Sequence, residues 1–223
     1  MGRIIAIDGP SGAGKSTISR ILAERLGFIY LYTGALYRAT ALYLTRKGLD
    51  EDSPDEEIEK ALRGFSINFK DGRVYVKDPE QSDEEDVTDA IRTTEIGHYA
   101  SVFSARGVVR AFLLGIQRDI AERGDIIAEG RDMTTVVFPD SWKKFFITAS
   151  ENERAKRRFE QLRGNGIDVS MEEAVRDVRE RDKRDQERDI APLRIAEDAI
   201  IIDTSNKGIH EVIEEILRIV ENG

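Results

Sequence analysis

Short runs of consecutive apolar residues recur along the chain, and amphipathic segments lie between them. The runs cover residues 4–7, 28–31, 126–128, 145–147 and 199–202. Each run is continuous rather than alternating, which is typical of strands buried on both faces of a parallel sheet. Segments with helical spacing of apolar residues separate the runs. The pattern therefore predicts an α/β protein with a doubly wound parallel sheet.

Turn residues mark the ends of the predicted elements. Helices are predicted over residues 16–26, 35–47 and 108–123, and each is followed by a glycine, as helix ends commonly are. Residues 65–76 alternate apolar and polar side chains on both sides of Asp71-Gly72, which predicts a β-hairpin inside a small inserted lobe. Gly164-Asn165-Gly166 predicts a turn between two strongly charged helices.

The composition narrows the possible chemistry. The chain has 223 residues, enough for one domain with inserted lobes. It has no Cys, which excludes disulfides, thiolate zinc sites, iron–sulfur clusters and a Cys nucleophile. With only His98 and His210 present, a multi-histidine metal site is excluded as well. No apolar run approaches the ~20 residues of a membrane span, and the start does not resemble a signal peptide. We therefore expect a soluble, cytoplasmic protein that is not bound to a membrane.

Acidic residues are concentrated in one segment. The whole chain carries a net charge of −9, whereas residues 50–89 contain 15 acidic and five basic side chains. We interpret this segment as a solvated surface lobe, with an acidic docking surface as the alternative. The charge balance argues against a protein that coats a nucleic-acid polymer. No apolar stripe suggests an oligomer interface, so a monomer is expected.

The strongest motif is a phosphate-binding loop directly after the first apolar run. Its residues, Gly9-Pro10-Ser11-Gly12-Ala13-Gly14-Lys15-Ser16, fit G-x-x-x-x-G-K-[ST], and the predicted nucleotide contacts extend to Thr17. The glycines let backbone N–H groups turn toward phosphate oxygens, and the following helix adds its positive end. Lys15 is expected to reach the transferred phosphate, and the Ser16 hydroxyl to bind Mg²⁺. The motif indicates a nucleoside triphosphate without specifying the reaction.

Charged residues at a later strand end favour a small phosphorylated acceptor. The run that ends in Glu129 is followed by Gly130-Arg131-Asp132, at the strand end where α/β proteins bind ligands. An arginine there can hold a second phosphate through two hydrogen bonds. Arg181, Arg184 and Arg188 share one helical face, as expected of a lid that carries arginines to a polyphosphate. The alternative for that helix is a solvated surface with ion pairs.

Several strings together resemble the bacterial cytidylate kinases. They are Ile7-Asp8-Gly9-Pro10-Ser11-Gly12-Ala13-Gly14-Lys15, Thr33-Gly34-Ala35-Leu36-Tyr37-Arg38, Gly130-Arg131-Asp132-Met133, Val136-Val137-Phe138-Pro139-Asp140, and Arg181-Asp182-Lys183-Arg184-Asp185 through Arg188 to Ala191-Pro192-Leu193. The resemblance covers nearly the whole chain, in matching order and spacing. It implies Mg²⁺-dependent transfer of the ATP γ-phosphate to CMP or dCMP by one P-loop kinase domain over residues 1–223. That domain would have a five-stranded parallel core, a monophosphate-binding lobe near 35–100, and a lid with an arginine-bearing helix near 152–190.

The resemblance also implies roles for matching residues. Arg38 and Arg131 would bind the acceptor phosphate; Thr33, Arg110, Asp132 and Arg188 would recognise cytosine; Ser101, Arg181 and Asp185 would hold the ribose. Among the lid arginines Arg154, Arg157 and Arg158, Arg157 is the one expected to contact ATP. The predicted catalytic groups are Lys15, Arg131, Asp132 and Arg181, which act by positioning and charge stabilisation in a direct in-line transfer.

Four positions depart from the family pattern. Tyr32 and Thr33 stand where the family often has Asp and Ser. Thr33 keeps a hydroxyl for the base contact, whereas the role of Tyr32 is open. Ser16 stands where many members have Gly, which gives this chain a hydroxyl for Mg²⁺. Thr134 follows Met133 where Gly is common, and this change is expected to alter the loop without touching an assigned contact.

Two alternatives stay open from the residues alone. One is a P-loop kinase of another small acceptor, of the AMP, UMP or shikimate type. The other is a nucleotide-switched binding module. A guanine-binding switch would carry the motif N-K-x-D, and the nearest match in the chain, Asn206-Lys207-Gly208-Ile209, lacks the Asp, which argues against this alternative. A switch would hydrolyse nucleotide slowly without an acceptor.

Overall fold

The computed structural model describes residues 2–70 and 72–222. In chain order the elements are β1 (Ile4–Asp8), α1 (Lys15–Leu26), β2 (Ile29–Tyr32), α2 (Thr33–Arg46), α3 (Asp55–Leu62), β3 (Ser66–Lys70), β4 (Arg73–Lys77), β5 (Glu85–Asp86), α4 (Thr94–Phe103), α5 (Gly107–Ala121), β6 (Ile126–Glu129), β7 (Lys143–Thr148), α6 (Glu151–Gly164), α7 (Met171–Glu187), β8 (Ile200–Asp203) and α8 (Ile209–Glu221). A 3₁₀ turn at Ala90–Arg92 and a π-helical turn at Met133–Val137 complete the order. The chain divides into two compact units, Met1–Leu31 with Asp119–Gly223, and Tyr32–Arg118.

A five-stranded sheet in the order β2-β6-β1-β7-β8 organises the first unit. β1 pairs in parallel with both β6 and β7, and β7 pairs in parallel with β8. The predicted α/β class and parallel sheet are confirmed, and each of the five apolar runs forms a strand within two residues of its predicted bounds. Because neighbouring parallel strands run the same way, the carboxyl ends of β1 and β6 lie side by side.

Burial explains why the strands are continuous apolar runs. Every residue of the central strand β1 is buried, and Ile5, Ile7 and Phe145 have no exposed surface. The apolar faces of α1 and α8 join these strands in one core through Leu22, Ala23, Val212, Ile213, Ile216 and Val220. β8 lies at the edge of the sheet, so Ile201 remains 56% exposed although it belongs to an equally apolar run.

The second unit contains the predicted hairpin. β3 and β4 pair antiparallel, with Phe69 opposite Val74, and β4 pairs with the short strand β5 that the sequence pattern did not predict. Of the predicted turn, Gly72 takes a left-handed φ of 74°, and Asp71 lies outside the described residues. The rings of Tyr43 and Phe65 stack with 4.0 Å between centroids in the core of this unit.

Two serine-capped helices follow β7. The Ser150 side chain caps α6, and Ser170 forms a reciprocal capping box with Glu173 at the start of α7. Gly166, with φ 77°, lies in the predicted turn between them. The predicted lid near 152–190 includes both helices, and the predicted monophosphate lobe near 35–100 lies in the second unit; their roles stay predictions.

No single helix in the described part of the chain is long and apolar enough to cross a membrane. Only α4 and α5 taken together reach the required length and composition, as a pair bent by 100°.

Candidate active site

The loop between β1 and α1 is shaped by three glycines with positive φ. Gly9 (148°), Gly12 (76°) and Gly14 (92°) take backbone conformations that side chains disfavour. A Cβ at Gly9 would stand 1.9 Å from the carbonyl oxygen of Ile147 in β7, so no other residue fits there without a backbone shift. The loop predicted from the motif is therefore folded against the sheet, and Lys15 begins α1 at its end.

Lys15 is buried at the start of α1. Its Nζ donates a hydrogen bond to the carbonyl of Pro10, 2.8 Å away. Burial, together with the positive charge of Arg131, lowers the pKa of Lys15 to about 7. The loop thus holds an ammonium group in a position that strongly favours an anionic partner. Thr17, the last predicted contact of this loop, is exposed on α1.

Three oxygen groups meet where α1 begins beside β6. The Ser16 hydroxyl donates to Oε1 of Glu129 at 2.6 Å, and the Tyr30 hydroxyl donates to the same oxygen at 3.1 Å. Glu129 is buried at the carboxyl end of β6. Hydroxyl and carboxylate oxygens are the ligand types that Mg²⁺ takes, so this pair fits the ion. Within residues 2–70 and 72–222, no cluster of three or more His, Asp or Glu side chains could hold a metal ion.

Two ion pairs tie the segment after β6 to α7 and to Arg188, the residue that follows this helix. Arg131 donates from Nε to Oδ2 of Asp185 at 2.7 Å, and Nη2 of Arg188 lies 3.7 Å from Oδ1 of Asp132. Against the effect of burial, the Arg131 charge holds the pKa of Asp185 below its ordinary value, and Asp185 raises that of Arg131. The structure therefore brings together four of the predicted residues. Arg181, one helical turn before Asp185, contributes its charge to the same cluster.

A buried carboxylate fixes the backbone that follows Asp132. Asp8, at the end of β1, accepts hydrogen bonds from the N–H groups of Met133 (2.9 Å) and Thr134 (2.7 Å), and from the Thr134 hydroxyl (2.6 Å). Burial raises the pKa of Asp8 to about 6, although these three donors oppose the shift. The Thr134 departure from the family pattern thus supplies an additional hydrogen bond beneath the Arg131–Asp132 segment.

The three lid arginines on α6 have different partners. Arg154 and Arg157 contact carbonyl oxygens of the phosphate-binding loop, whereas Arg158 pairs with Asp177 on α7. Arg157 also donates two hydrogen bonds to Thr204, at 2.9 Å each. Its contact with ATP stays a prediction.

The remaining predicted residues belong to the second unit. Thr33 is buried at the start of α2, and Nη1 of Arg38 donates to the carbonyls of Ile91 (2.9 Å) and Thr93 (3.2 Å). Ser101 is buried in α4, and its hydroxyl has no hydrogen-bond partner among the described residues. Arg110 donates to the carbonyl of Ser104 at 3.2 Å, and its guanidinium lies 5.8 Å from the Tyr37 ring centroid.

Comparison with known proteins decides the family. The family model described as cytidylate kinase matches residues 5–222. The chain belongs to the cytidylate kinase family. A cytidylate kinase from Thermodesulfovibrio yellowstonii is 54% identical to it over 98% of this chain and 97% of the relative. One from Thermotoga neapolitana is 47% identical over 99% of this chain and 98% of the relative. A crystal structure of an uncharacterized protein from Eubacterium ventriosum has a TM-score of 0.55 at 15% identity and covers 99% of both chains, which supports the fold alone.

The sequence motifs do not identify three residues of this site. Glu129 is marked in the sequence only by its place at a strand end, where α/β proteins bind ligands. Asp8 precedes the loop motif, and nothing near it in the sequence indicates its partners. Asp182 has no sequence signal, because it lies 171 residues from Ser11, which it contacts.

We predict that Lys15→Met stabilises the protein in the absence of nucleotide and abolishes its phosphotransfer. The buried charge of Lys15 costs stability below pH 7, and this cost fades as pH rises toward the ordinary lysine value, because the unfolded chain then also loses the proton. The variant should gain roughly 1–3 kcal/mol at pH 6. Urea unfolding at pH 6, 7.5 and 9.5 tests this, and a difference that does not narrow with rising pH contradicts it.

We predict that Thr134→Val lowers the free energy of unfolding by about 1.5–3 kcal/mol at pH 7.5, because Asp8 loses a buried donor. Thr134→Ser keeps the hydroxyl and is the control. The loss should be smaller at pH 5, below the Asp8 pKa of about 6, where the neutral carboxyl accepts weaker hydrogen bonds. Equal stabilities of the Val and Ser variants in urea unfolding would rule out this role.

Proposed function

We propose that this protein transfers the γ-phosphoryl group of ATP to CMP or dCMP and so forms ADP and CDP or dCDP. The observation that carries the proposal is the pairing of two features in one family member. A phosphate-binding loop holds a buried lysine, and the adjacent strand β6 leads into an arginine–aspartate pair that α7 holds in place. The first feature suits a triphosphate donor, and the second suits an acceptor that carries both a phosphate and a base.

On the donor side, residues 9–17 would bind the ATP phosphates. The backbone N–H groups of the glycine-rich loop and the end of α1 attract the anion, and the Lys15 ammonium would contact the transferred group. Arg157 would add charge from α6 beside the same loop. Ser16 and Glu129 would hold Mg²⁺ together with the nucleotide. The ion, when bound, neutralises charge on the phosphates.

On the acceptor side, Arg38 and Arg131 would bind the monophosphate. Asp132, Arg188, Thr33 and Arg110 would recognise cytosine, and Ser101, Arg181 and Asp185 would hold the ribose. The hydroxyl of Ser101 lacks a partner among the described residues, as expected of a group that waits for a ligand hydroxyl. Arg131 and Asp132 already have ionic partners. On substrate binding, each of these two side chains would therefore replace a protein partner with a substrate group, and neither would start as an unpaired buried charge.

The transfer itself needs no covalent enzyme intermediate. An oxygen of the acceptor phosphate attacks the γ-phosphorus of ATP, the bond from that phosphorus to the β–γ bridging oxygen breaks, and ADP leaves with the electron pair. The acceptor phosphate is largely ionised near neutral pH, because its second pKa is about 6, so a strong general base is unnecessary. Lys15, Arg131 and Arg181 would stabilise the charge that spreads over the transferred oxygens. We further propose that the enzyme works as a monomer in the cytoplasm.

An acceptor panel tests this function. We expect ADP release with Mg·ATP to be at least ~100-fold faster with CMP and dCMP than with AMP, GMP or shikimate, since the site is built to pair with a base edge. UMP and a reaction without acceptor complete the panel. Preference for AMP, UMP or shikimate would overturn the cytosine assignments and keep a P-loop kinase. Slow hydrolysis that ignores every acceptor would instead support a nucleotide-switched binding module.

We predict that Arg188→Ala erodes base selection more than ATP use. The substitution removes the cation paired with Asp132, so kcat/KM for CMP should fall by about 100-fold while the KM for ATP changes by less than about threefold. Lys183→Ala, which removes an exposed cation from the helix that ends just before Arg188, is the matched control. Equal losses with CMP and UMP in steady-state assays would show that Arg188 does not read the base.

A further inference from the structure

Arginine side chains of α6 hold two carbonyl groups of the phosphate-binding loop. Nη1 of Arg154 donates to the carbonyl of Ser11 at 3.0 Å. Nη1 of Arg157 donates to the carbonyl of Ala13 at 3.4 Å. Two alternate carbonyls of the loop thus face basic side chains of α6.

Holding these carbonyls also aims the N–H groups across the same peptide bonds. In a trans peptide the C=O and N–H bonds point in opposite directions. The Ser11 carbonyl shares its peptide with the Gly12 N–H, and the Ala13 carbonyl shares its peptide with the Gly14 N–H. When the arginines draw the carbonyls toward α6, the glycine N–H groups turn the other way. Gly12 and Gly14 both have positive φ and would otherwise have an unusually wide choice of backbone conformations.

Asp182 on α7 completes this arrangement. Its Oδ1 accepts the N–H of Ser11 at 2.9 Å, and its Oδ2 pairs with Nη1 of Arg154. Arg154 also donates from Nε to the carbonyl of Ala149 at 3.1 Å, which fixes the plane of its guanidinium. Ser11, Arg154 and Asp182 are all buried. The backbone N–H and C=O of Ser11 are therefore both held by one ion pair shielded from water, where hydrogen bonds to charged groups are strong.

Steric contact reinforces the electrostatic one. A Cβ at Gly12 would lie 2.8 Å from the carbonyl oxygen of Arg154 and 3.0 Å from its Cβ. The loop therefore rests directly on the first turn of α6, and a displacement of Arg154 would be transmitted to Gly12.

We propose that Asp182, acting through Arg154 and Ser11, is a positioning residue that sets the N–H groups of the phosphate-binding loop before the donor phosphates bind. The residue does not touch the nucleotide. Its charge holds Arg154 on the Ser11 carbonyl and its second oxygen holds the Ser11 N–H. The inference rests on the proposed binding of ATP by this loop. It assigns to α7 a part in donor affinity, separate from the acceptor contacts proposed for Asp185 and for Arg188 at the end of the helix.

The chain offers a matched control for this role. Arg158 and Asp177 form a second ion pair between α6 and α7, with 2.7 Å between Nε and Oδ2. Among the described residues, neither member of this pair forms a hydrogen bond or ion pair with the loop. Asp177→Asn therefore removes the same kind of helix–helix ion pair and leaves Ser11 untouched.

The experiment compares Asp182→Asn with Asp177→Asn and the unmodified protein. Calorimetric titration gives the affinity for Mg·ATP and for tripolyphosphate, a probe that has the phosphates but lacks the nucleoside. Steady-state assays give the KM for CMP. We expect Asp182→Asn to weaken binding of both ATP and tripolyphosphate by about tenfold, as the loss of one charge-assisted contact implies. The KM for CMP should stay within about twofold, and Asp177→Asn should bind all three ligands normally.

The outcomes separate this inference from the proposed function. If the unmodified protein fails to bind ATP, the proposed function is wrong. If it binds ATP, and Asp182→Asn binds both phosphate ligands normally or loses no more than Asp177→Asn, the positioning role is wrong. A loss confined to ATP, with normal tripolyphosphate binding, also overturns it. If Asp182→Asn does not fold, Arg154→Lys tests the same contact, because one ammonium cannot span Ser11, Ala149 and Asp182 at once; it should reproduce the tenfold loss, and normal binding by it contradicts the role.

Discussion

A loop that binds phosphate through its backbone must keep its N–H groups on one side before the anion arrives, and the first unit is organised around that constraint. Glycine permits the required conformations but does not enforce them. Enforcement comes from packing, because β7 closes on Gly9 and the first turn of α6 closes on Gly12. It comes also from charge, because arginine side chains of α6 donate hydrogen bonds to the outward-facing carbonyls. The loop conformation therefore depends on α6 and α7 as well as on the motif itself.

One of these helices, α7, also organises the acceptor segment. Successive acidic residues on one face of α7 contact different partners, with Asp182 on the phosphate-binding loop and Asp185 on Arg131. Asp8 supports the next residues from below, at the end of the strand that leads into the loop. The donor-side and acceptor-side groups of the first unit are thus held by the same two elements, β1 and α7. Charged side chains held in this way need little rearrangement when a ligand replaces their protein partners.

The sequence was most informative where the determining interactions are local. The five strands followed from continuous apolar runs, the hairpin from alternation around a glycine turn, and the loop from a motif of eight residues. The segment after β6 was found because a strand end carries chemistry in α/β folds. Contacts between distant residues could not be found this way: Asp8 and Thr134 are 126 residues apart, and Asp182 and Ser11 are 171 apart. A single carboxylate in a charged helix has no pattern that distinguishes a buried partner of the loop from a solvated side chain. The two ion pairs of the Arg131–Asp132 segment were hidden for the same reason.

The lowered pKa of Lys15 links the loading of the site to the proton concentration of the solution. Burial and the Arg131 charge both disfavour the protonated lysine in the empty site. Phosphate oxygens beside Nζ would oppose that effect and raise the pKa again. Binding of a phosphate anion and protonation of Lys15 therefore favour each other, and the charge on the loop depends on what the loop holds.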